Sequence, residues 1–120
     1  MTRTECTRVI LEAKAEQALT FAGIASKVGR SEVWTASAIL GQAQMDALEA
    51  HALVECLGLG PDVAAALQSH PMKGSLDGPV PVDPLLYRFH EVTQVYGTTI
   101  KALIHEKFGE GIMSAIDFEL

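Results

Sequence analysis

Three side chains in the last third of the sequence combine a cation, a carboxylate and a hydroxyl among apolar neighbours: Arg88, Glu91 and Ser114. Arg88 and Glu91 are three positions apart, a spacing that makes them neighbours on a helix. Ser114 needs a hydrogen-bonding partner or a ligand, because an unmet polar group in an apolar setting costs roughly 1–3 kcal/mol. From the spacing alone, a surface ion pair and an ordinary strand serine would explain the same residues.

A helix is predicted to hold the first two of these residues. Asp83 suits the N-cap and Pro84 suits the first helical position. Arg88 and Glu91 then fall on the flank of an apolar stripe, so both can border a core without being buried in it. The stripe consists of apolar residues that recur at helical spacing: Leu85, Leu86, Phe89, Val92 and Tyr96.

Gly97 is predicted to end this helix, and Thr98 or Thr99 to cap a second one that Gly109 closes. From Ile112 the pattern changes to alternation, which predicts a β-strand. The residues on the apolar side of that strand are Ile112, Ser114, Ile116, Phe118 and Leu120. Ser114 carries the only hydroxyl on this side of the predicted strand.

The stretch from Tyr87 to Phe118 resembles the signature region of the cyanase family, also called cyanate hydratases or cyanate lyases. It reads YRFHEVTQVYGTTIKALIHEKFGEGIMSAIDF, and the resemblance is long and ungapped. The arginine, glutamate and serine that the family uses in its active site correspond to Arg88, Glu91 and Ser114. One departure is His90, where the family more often has tyrosine.

This resemblance implies a reaction of cyanate with bicarbonate that gives carbon dioxide and carbamate, which then breaks down to ammonia and a second carbon dioxide. Because both substrates are anions, Arg88 is expected to hold them in contact through its fork of N–H donors. Ser114 is expected to stabilise the charge that collects on the intermediate. Glu91 either orients Arg88, relays the proton that must reach nitrogen, or does both. The resemblance implies no metal and no cofactor, with bicarbonate as co-substrate.

The resemblance also implies a homodecamer, built as a pentamer of dimers, with active sites shared between subunits. The high apolar content, 48% of the residues, is compatible with subunit contacts. Members of the family continue beyond the position of Leu120 into β-structure that intertwines two subunits. We therefore expect either further residues after Leu120 or an incomplete dimer.

For the whole chain we predict an α+β fold that is mainly α. Residues 1–70 should form a repressor-like bundle of five helices, over residues 5–18, 21–28, 32–41, 45–57 and 61–69. Residues 71–84 contain four of the five prolines and are predicted to be a linker. Residues 85–120 then form the catalytic and oligomerisation region.

The alternative function is DNA binding, because residues 20–41 resemble a helix-turn-helix of the repressor type. Phosphate contacts supply most of the affinity of a DNA-binding module, yet the net charge of the chain is −6. Lys27 and Arg30 are the only cations in residues 20–41. We therefore expect no nucleic-acid partner. A further alternative is an inactive, truncated relative of the cyanases.

Other chemical motifs are excluded by spacing. His90-Glu91 and His105-Glu106 both lack the second histidine of the zinc motif HExxH. Ser114 lacks the GxSxG turn of a hydrolase, and no Walker loop or GxGxxG is present.

The sequence also predicts a cellular location. No apolar run of the roughly 20 residues needed to span a bilayer occurs, and nothing resembles a signal peptide. Cys6 and Cys56 are too few for a disulfide framework and fit free thiols. We expect a cytoplasmic protein with no membrane partner.

Overall fold

The computed structural model describes residues 1–71 and 78–110, and the chain divides into two compact units, Met1–Gly74 and Ser75–Leu120. The first unit contains five helices: α1 (Arg3–Glu16), α2 (Phe21–Val28), α3 (Glu32–Ile39), α4 (Ala47–Leu57) and α5 (Pro61–Leu67). The second contains α6 (Pro84–Phe108). The described residues are therefore mainly helical, as predicted. No strand occurs among them, and the strand predicted from Ile112 lies outside the described residues.

Side-chain caps set the starts of the helices in the first unit. Thr20 and Ser31 accept hydrogen bonds from backbone N–H groups three residues ahead, so α2 begins at Phe21 and α3 at Glu32, where the sequence predicted them to begin. Thr2 forms a reciprocal capping box with Glu5, so α1 begins at Arg3 rather than at the predicted Glu5. A second capping box, between Asp46 and Glu49, starts α4.

The first unit has one apolar core, to which all five helices contribute. Its largest fully buried side chains are Ile10, Ile24, Ile39, Met45, Leu53, Leu67 and Val63. Cys6 is also buried, with its Sγ 3.8 Å from the carbonyl oxygen of Val63, and burial raises the pKa of its thiol. Both Cys6 and Cys56 are free thiols.

Arg3 ties the beginning of α1 to the ends of two other helices. Its guanidinium donates hydrogen bonds to the carbonyl oxygens of Ala38 at 2.8 Å, Ala43 at 2.9 Å and Ala66 at 3.3 Å. Partial burial lowers the pKa of Arg3 from its ordinary value. The last carbonyls of a helix have no partner within the helix, so one arginine here satisfies groups at the ends of both α3 and α5.

The predicted helix break at Gly97 is wrong, because α6 continues without interruption from Pro84 to Phe108. Gly97 does not adopt the positive φ that Gly29 and Gly58 adopt at the ends of α2 and α4. A glycine inside a helix costs only about 1 kcal/mol relative to alanine, which the surrounding helical residues can outweigh. Gly109 ends α6, as predicted, with a φ of 78°.

Candidate active site

The first turn of α6 is fixed by its own sequence. The carboxylate of Asp83 accepts hydrogen bonds from the backbone N–H groups of Leu85 and Leu86, both at 3.0 Å. Pro84 occupies the first helical position, where a missing N–H costs nothing. This start places Arg88 and Glu91 in the second turn of a well-capped helix.

Arg88 and Glu91 form the ion pair that their spacing predicted. The distance from Arg88 Nη1 to Glu91 Oε1 is 2.8 Å, and the two side chains are 64% and 42% exposed. An exposed pair of this kind contributes only about 0.3–0.5 kcal/mol to stability. The guanidinium and the carboxylate can therefore exchange this contact for a ligand at little cost.

The geometry of this pair is not unusual within the molecule. Arg8 and Glu12 on α1 form a similar pair, with 3.0 Å between Nη1 and Oε1 and side-chain exposures of 62% and 57%. The two pairs differ in what surrounds them, since Arg88 and Glu91 border a run of exposed apolar side chains on α6. Arg8 and Glu12 are therefore a matched control for any role given to Arg88 and Glu91.

Ser114, the third predicted site residue, lies outside the described residues. The structure brings together Arg88 and Glu91, and the place of Ser114 beside them stays a prediction. The roles assigned to the three side chains stay predictions as well.

A contact between two aromatic rings next to this pair was missed by the sequence interpretation. The ring centroids of Tyr87 and His90 are 5.8 Å apart, with the rings tilted by 40°, and both side chains are half-buried. Their spacing of three residues, the same as that of Arg88 and Glu91, is the signal that could have revealed the contact. His90, the residue that departs from the family pattern, thus contacts Tyr87 directly beside the candidate site.

A groove of about 310 Å³ lies farther along α6. Its described lining residues lie between Val92 and His105 and include Gly97. Neither Arg88 nor Glu91 is among them. The groove is mostly apolar, and its polar lining residues are Thr93, Lys101 and His105. It is therefore a feature separate from the ion pair.

Other functional sites find no support in the part of the chain that the structure describes. There, no group of three or more His, Cys, Asp and Glu side chains is arranged to hold a metal ion. Among the same residues, no helix combines the length and apolarity needed to cross a membrane.

The helix-turn-helix interpretation is weakened by the contacts of Arg30. Its guanidinium stacks over the ring of Trp34, 3.7 Å from the centroid, and pairs with Glu49 at 3.0 Å. A cation held by a ring and a carboxylate is less available to a phosphate. DNA binding is therefore not favoured.

Comparison with known proteins covers both units of the chain. Residues 3–71 match the family model described as the N-terminal domain of cyanate hydratase, and residues 79–120 match the cyanate lyase C-terminal domain. A cyanate hydratase of Cupriavidus necator is 52% identical over 120 residues, which are 100% of this chain and 82% of that protein. One of Prochlorococcus marinus is 50% identical, with the same two coverages.

A solved structure gives the same result in three dimensions. The crystal structure of cyanase from T. urticae superposes with a TM-score of 0.81 at 39% sequence identity, covering 90% of this chain and 77% of that one. The resemblance of residues 87–118 to the cyanases is thus confirmed and extends over nearly the whole chain. The chain belongs to the cyanate hydratase family.

Proposed function

We propose that this chain is a cyanate hydratase, a carbon–nitrogen lyase that decomposes cyanate to ammonia and carbon dioxide with bicarbonate as co-substrate. The observation that carries the proposal is the similarity to cyanate hydratases over all 120 residues at about half identity. The residues that correspond to the family's arginine and glutamate, Arg88 and Glu91, are paired on an exposed flank of α6.

The first task of the catalyst is to hold two anions in contact. Cyanate and bicarbonate repel each other, and a guanidinium offers both charge and a planar fork of donors to their oxygens. Arg88 is the group we assign to this task. Its side chain is 64% exposed and bonded only to Glu91 among the described residues, so donors remain for an incoming anion.

The proposed reaction begins with the attack of bicarbonate on cyanate. A bicarbonate oxygen attacks the carbon of cyanate, which forms a C–O bond and moves negative charge toward the cyanate nitrogen. The nitrogen receives the bicarbonate proton and one more from solvent, and cleavage of the original bicarbonate C–O bond releases carbon dioxide and carbamate. Carbamate takes up a further proton and separates into ammonia and the second carbon dioxide.

Three side chains share these steps in our proposal. Arg88 binds both anions and neutralises the dicarboxylate-like intermediate, and the Ser114 hydroxyl donates a hydrogen bond to the same charge. Glu91, whose carboxylate lies 2.8 Å from Arg88 Nη1, orients the guanidinium, relays the proton to nitrogen, or does both. The reaction as proposed requires no metal ion and no organic cofactor.

We further propose that the protein is a cytoplasmic homodecamer, built as a pentamer of dimers. The unburied apolar side chains of α6 support a partner of the same kind, because a second subunit would remove them from water. The free thiols of Cys6 and Cys56 suit a reducing compartment. In this proposal residues 1–70 are scaffold, 71–84 are linker, and 85–120 carry catalysis and assembly.

The test is ammonia release from cyanate by the purified chain, measured with bicarbonate and after its removal. We expect release only when bicarbonate is present. Ammonia formed at the same rate without bicarbonate would contradict the mechanism, and no ammonia under either condition would contradict the proposed function.

A further inference from the structure

The groove along α6 combines an apolar wall with two nitrogen-bearing side chains. Val92, Ile100 and Ile104 form the apolar part of its described lining, and Lys101 and His105 supply the nitrogen atoms. Its volume of about 310 Å³ is at the lower end of the range of small-molecule sites, roughly 300–1,000 Å³. A mostly apolar concave surface with a few polar groups close together is the usual composition of such a site.

Lys101 and His105 are neighbours on the helix. They are four positions apart, which puts their Cβ atoms about 5–6 Å from each other. Lys101 is exposed and His105 is half-buried, and neither takes part in an ion pair among the described residues. Both side chains can donate N–H hydrogen bonds, so together they can hold one carboxylate.

The end of the helix does not account for Lys101. Cations are favoured in the last turn of a helix because that end of the dipole is negative, and the effect falls off within the turn. His105 and Lys107 are in the last turn of α6, whereas Lys101 lies about two turns before its end at Phe108. No residue three or four positions from Lys101 is acidic, so it also lacks an ion-pair partner on its own helix.

Gly97 leaves the groove open part-way along its length. An added Cβ at this lining residue would meet the Cγ2 atom of Thr93 at 3.6 Å, an ordinary contact distance. Alanine would therefore fit among the described residues, and it favours a helix far more than glycine does. The φ of Gly97 is not positive either, so the backbone conformation does not require glycine. What glycine provides here is free space in the groove.

We propose that the groove binds a small monocarboxylate with an apolar body, such as an aryl carboxylate. The carboxylate accepts hydrogen bonds from Lys101 and His105, and the apolar body lies against Ile100 and Ile104. Ile100 is 48% exposed and Ile104 is half-buried, so the ligand would remove apolar surface from water. Complementary charge selects this occupant over an uncharged apolar one. The proposal goes beyond the proposed function, because it concerns a separate site and a different class of ligand.

Benzoate is the probe, and isoleucine methyl groups report where it binds. In NMR spectra of the full chain labelled at its isoleucine methyl groups, millimolar benzoate should shift the signals of Ile100 and Ile104. Ile10 and Ile24, buried in the core of the first unit, are controls in the same spectrum and should not shift. Equal shifts at all four would mean that no specific site exists and would overturn the proposal. Benzamide has the same ring without the charge and should bind at least tenfold more weakly.

Two substitutions test the groups that define the site. Lys101→Met keeps the apolar stem but removes the charge, and it should weaken benzoate binding at least tenfold. Lys107→Met, at an exposed position outside the described lining, is the control and should leave the affinity within twofold. Gly97→Ala fills part of the groove and should weaken binding severalfold without lowering the helix content measured by circular dichroism. Unchanged affinity in Lys101→Met or in Gly97→Ala would contradict the proposed site.

A third substitution separates the groove from the ion pair. Arg88 is the residue assigned to anions in the proposed function, so Arg88→Lys must leave benzoate binding within twofold. Loss of binding in that variant would place the carboxylate at the ion pair instead. No shift of Ile100 or Ile104 in the unaltered chain would mean that another part of the chain or a second copy covers the groove, and either result would overturn the inference. No cyanate is used, so the binding test and the cyanate assay can fail independently.

Discussion

The five-helix unit and α6 differ in how far their apolar side chains are exposed to water. In the first unit Ile10, Ile24 and Leu53 are completely inaccessible to water. In α6 no residue is buried, although the helix is the longest of the described elements. The short helices of the first unit pack on one another and so form a core. Among the described residues, the large apolar side chains of the first unit are therefore mostly buried, whereas those of α6 are exposed.

The largest expected effect is the difference in the free energy of unfolding between two leucine-to-alanine substitutions, one in each region. Leu53→Ala creates a cavity in the core of the first unit and should lower its free energy of unfolding by about 2–5 kcal/mol. Leu85→Ala, which removes a side chain that is 65% exposed, should change it by less than about 0.5 kcal/mol. Urea unfolding followed by the fluorescence of Trp34, the only tryptophan, reports on the first unit alone. Equal losses would mean that α6 stabilises the first unit.

The next prediction compares the two exposed arginine–glutamate pairs. Arg88→Lys keeps the charge but loses the planar fork of donors, and it should lower the rate of cyanate-dependent ammonia release by about 100-fold. Arg8→Lys, in the matched pair on α1, should leave the rate within twofold of that of the unaltered chain. An Arg88→Lys chain as active as the unaltered one would show that Arg88 is a surface residue like Arg8.

Within the first unit, the same kind of contrast can be made between two arginines of α1. Arg3→Met keeps the apolar stem but removes the donors to three carbonyl oxygens, and we expect a loss of about 2 kcal/mol in the free energy of unfolding. Arg8→Met removes only an exposed ion pair and should cost at most about 0.5 kcal/mol. The measurement is again urea unfolding by Trp34 fluorescence. If both variants lost the same amount, the helix ends would be satisfied without Arg3.

The smallest effect has the opposite sign. The hydroxyl of Thr35 is fully buried and has no hydrogen-bonding partner in the part of the chain that is described. Thr35→Val replaces it with a methyl group of similar shape and should raise the free energy of unfolding by about 1 kcal/mol. Thr4→Val, at an exposed position of α1, is the control and should change little. A loss of stability in Thr35→Val would indicate that a buried water meets the hydroxyl.

Much of the fold was predictable because the signals that start and stop helices are local. Thr20, Ser31 and Asp83 each bond to backbone groups two or three residues ahead, so a short stretch of sequence contains both partners. The pairing of Arg88 with Glu91 was predictable for the same reason. Gly97 shows the limit of such reasoning, because glycine ends a helix only where the chain takes a positive φ, and the residue type does not reveal that.

By itself, the sequence determined that five helices precede residue 70 and that a capped helix begins at Pro84, the ion pair on that helix and, through its resemblance, the family to which the chain belongs. Only the tertiary structure decided that Arg3 reaches carbonyl groups 35 to 63 residues away. It also decided that, in the part of the chain that is described, α6 has no buried residue whereas each of the other helices has two or more. The physical reason is the separation along the sequence between the residues that interact. Caps and helical neighbours interact within a few residues, whereas burial and long side-chain contacts depend on which distant elements the folded chain brings together.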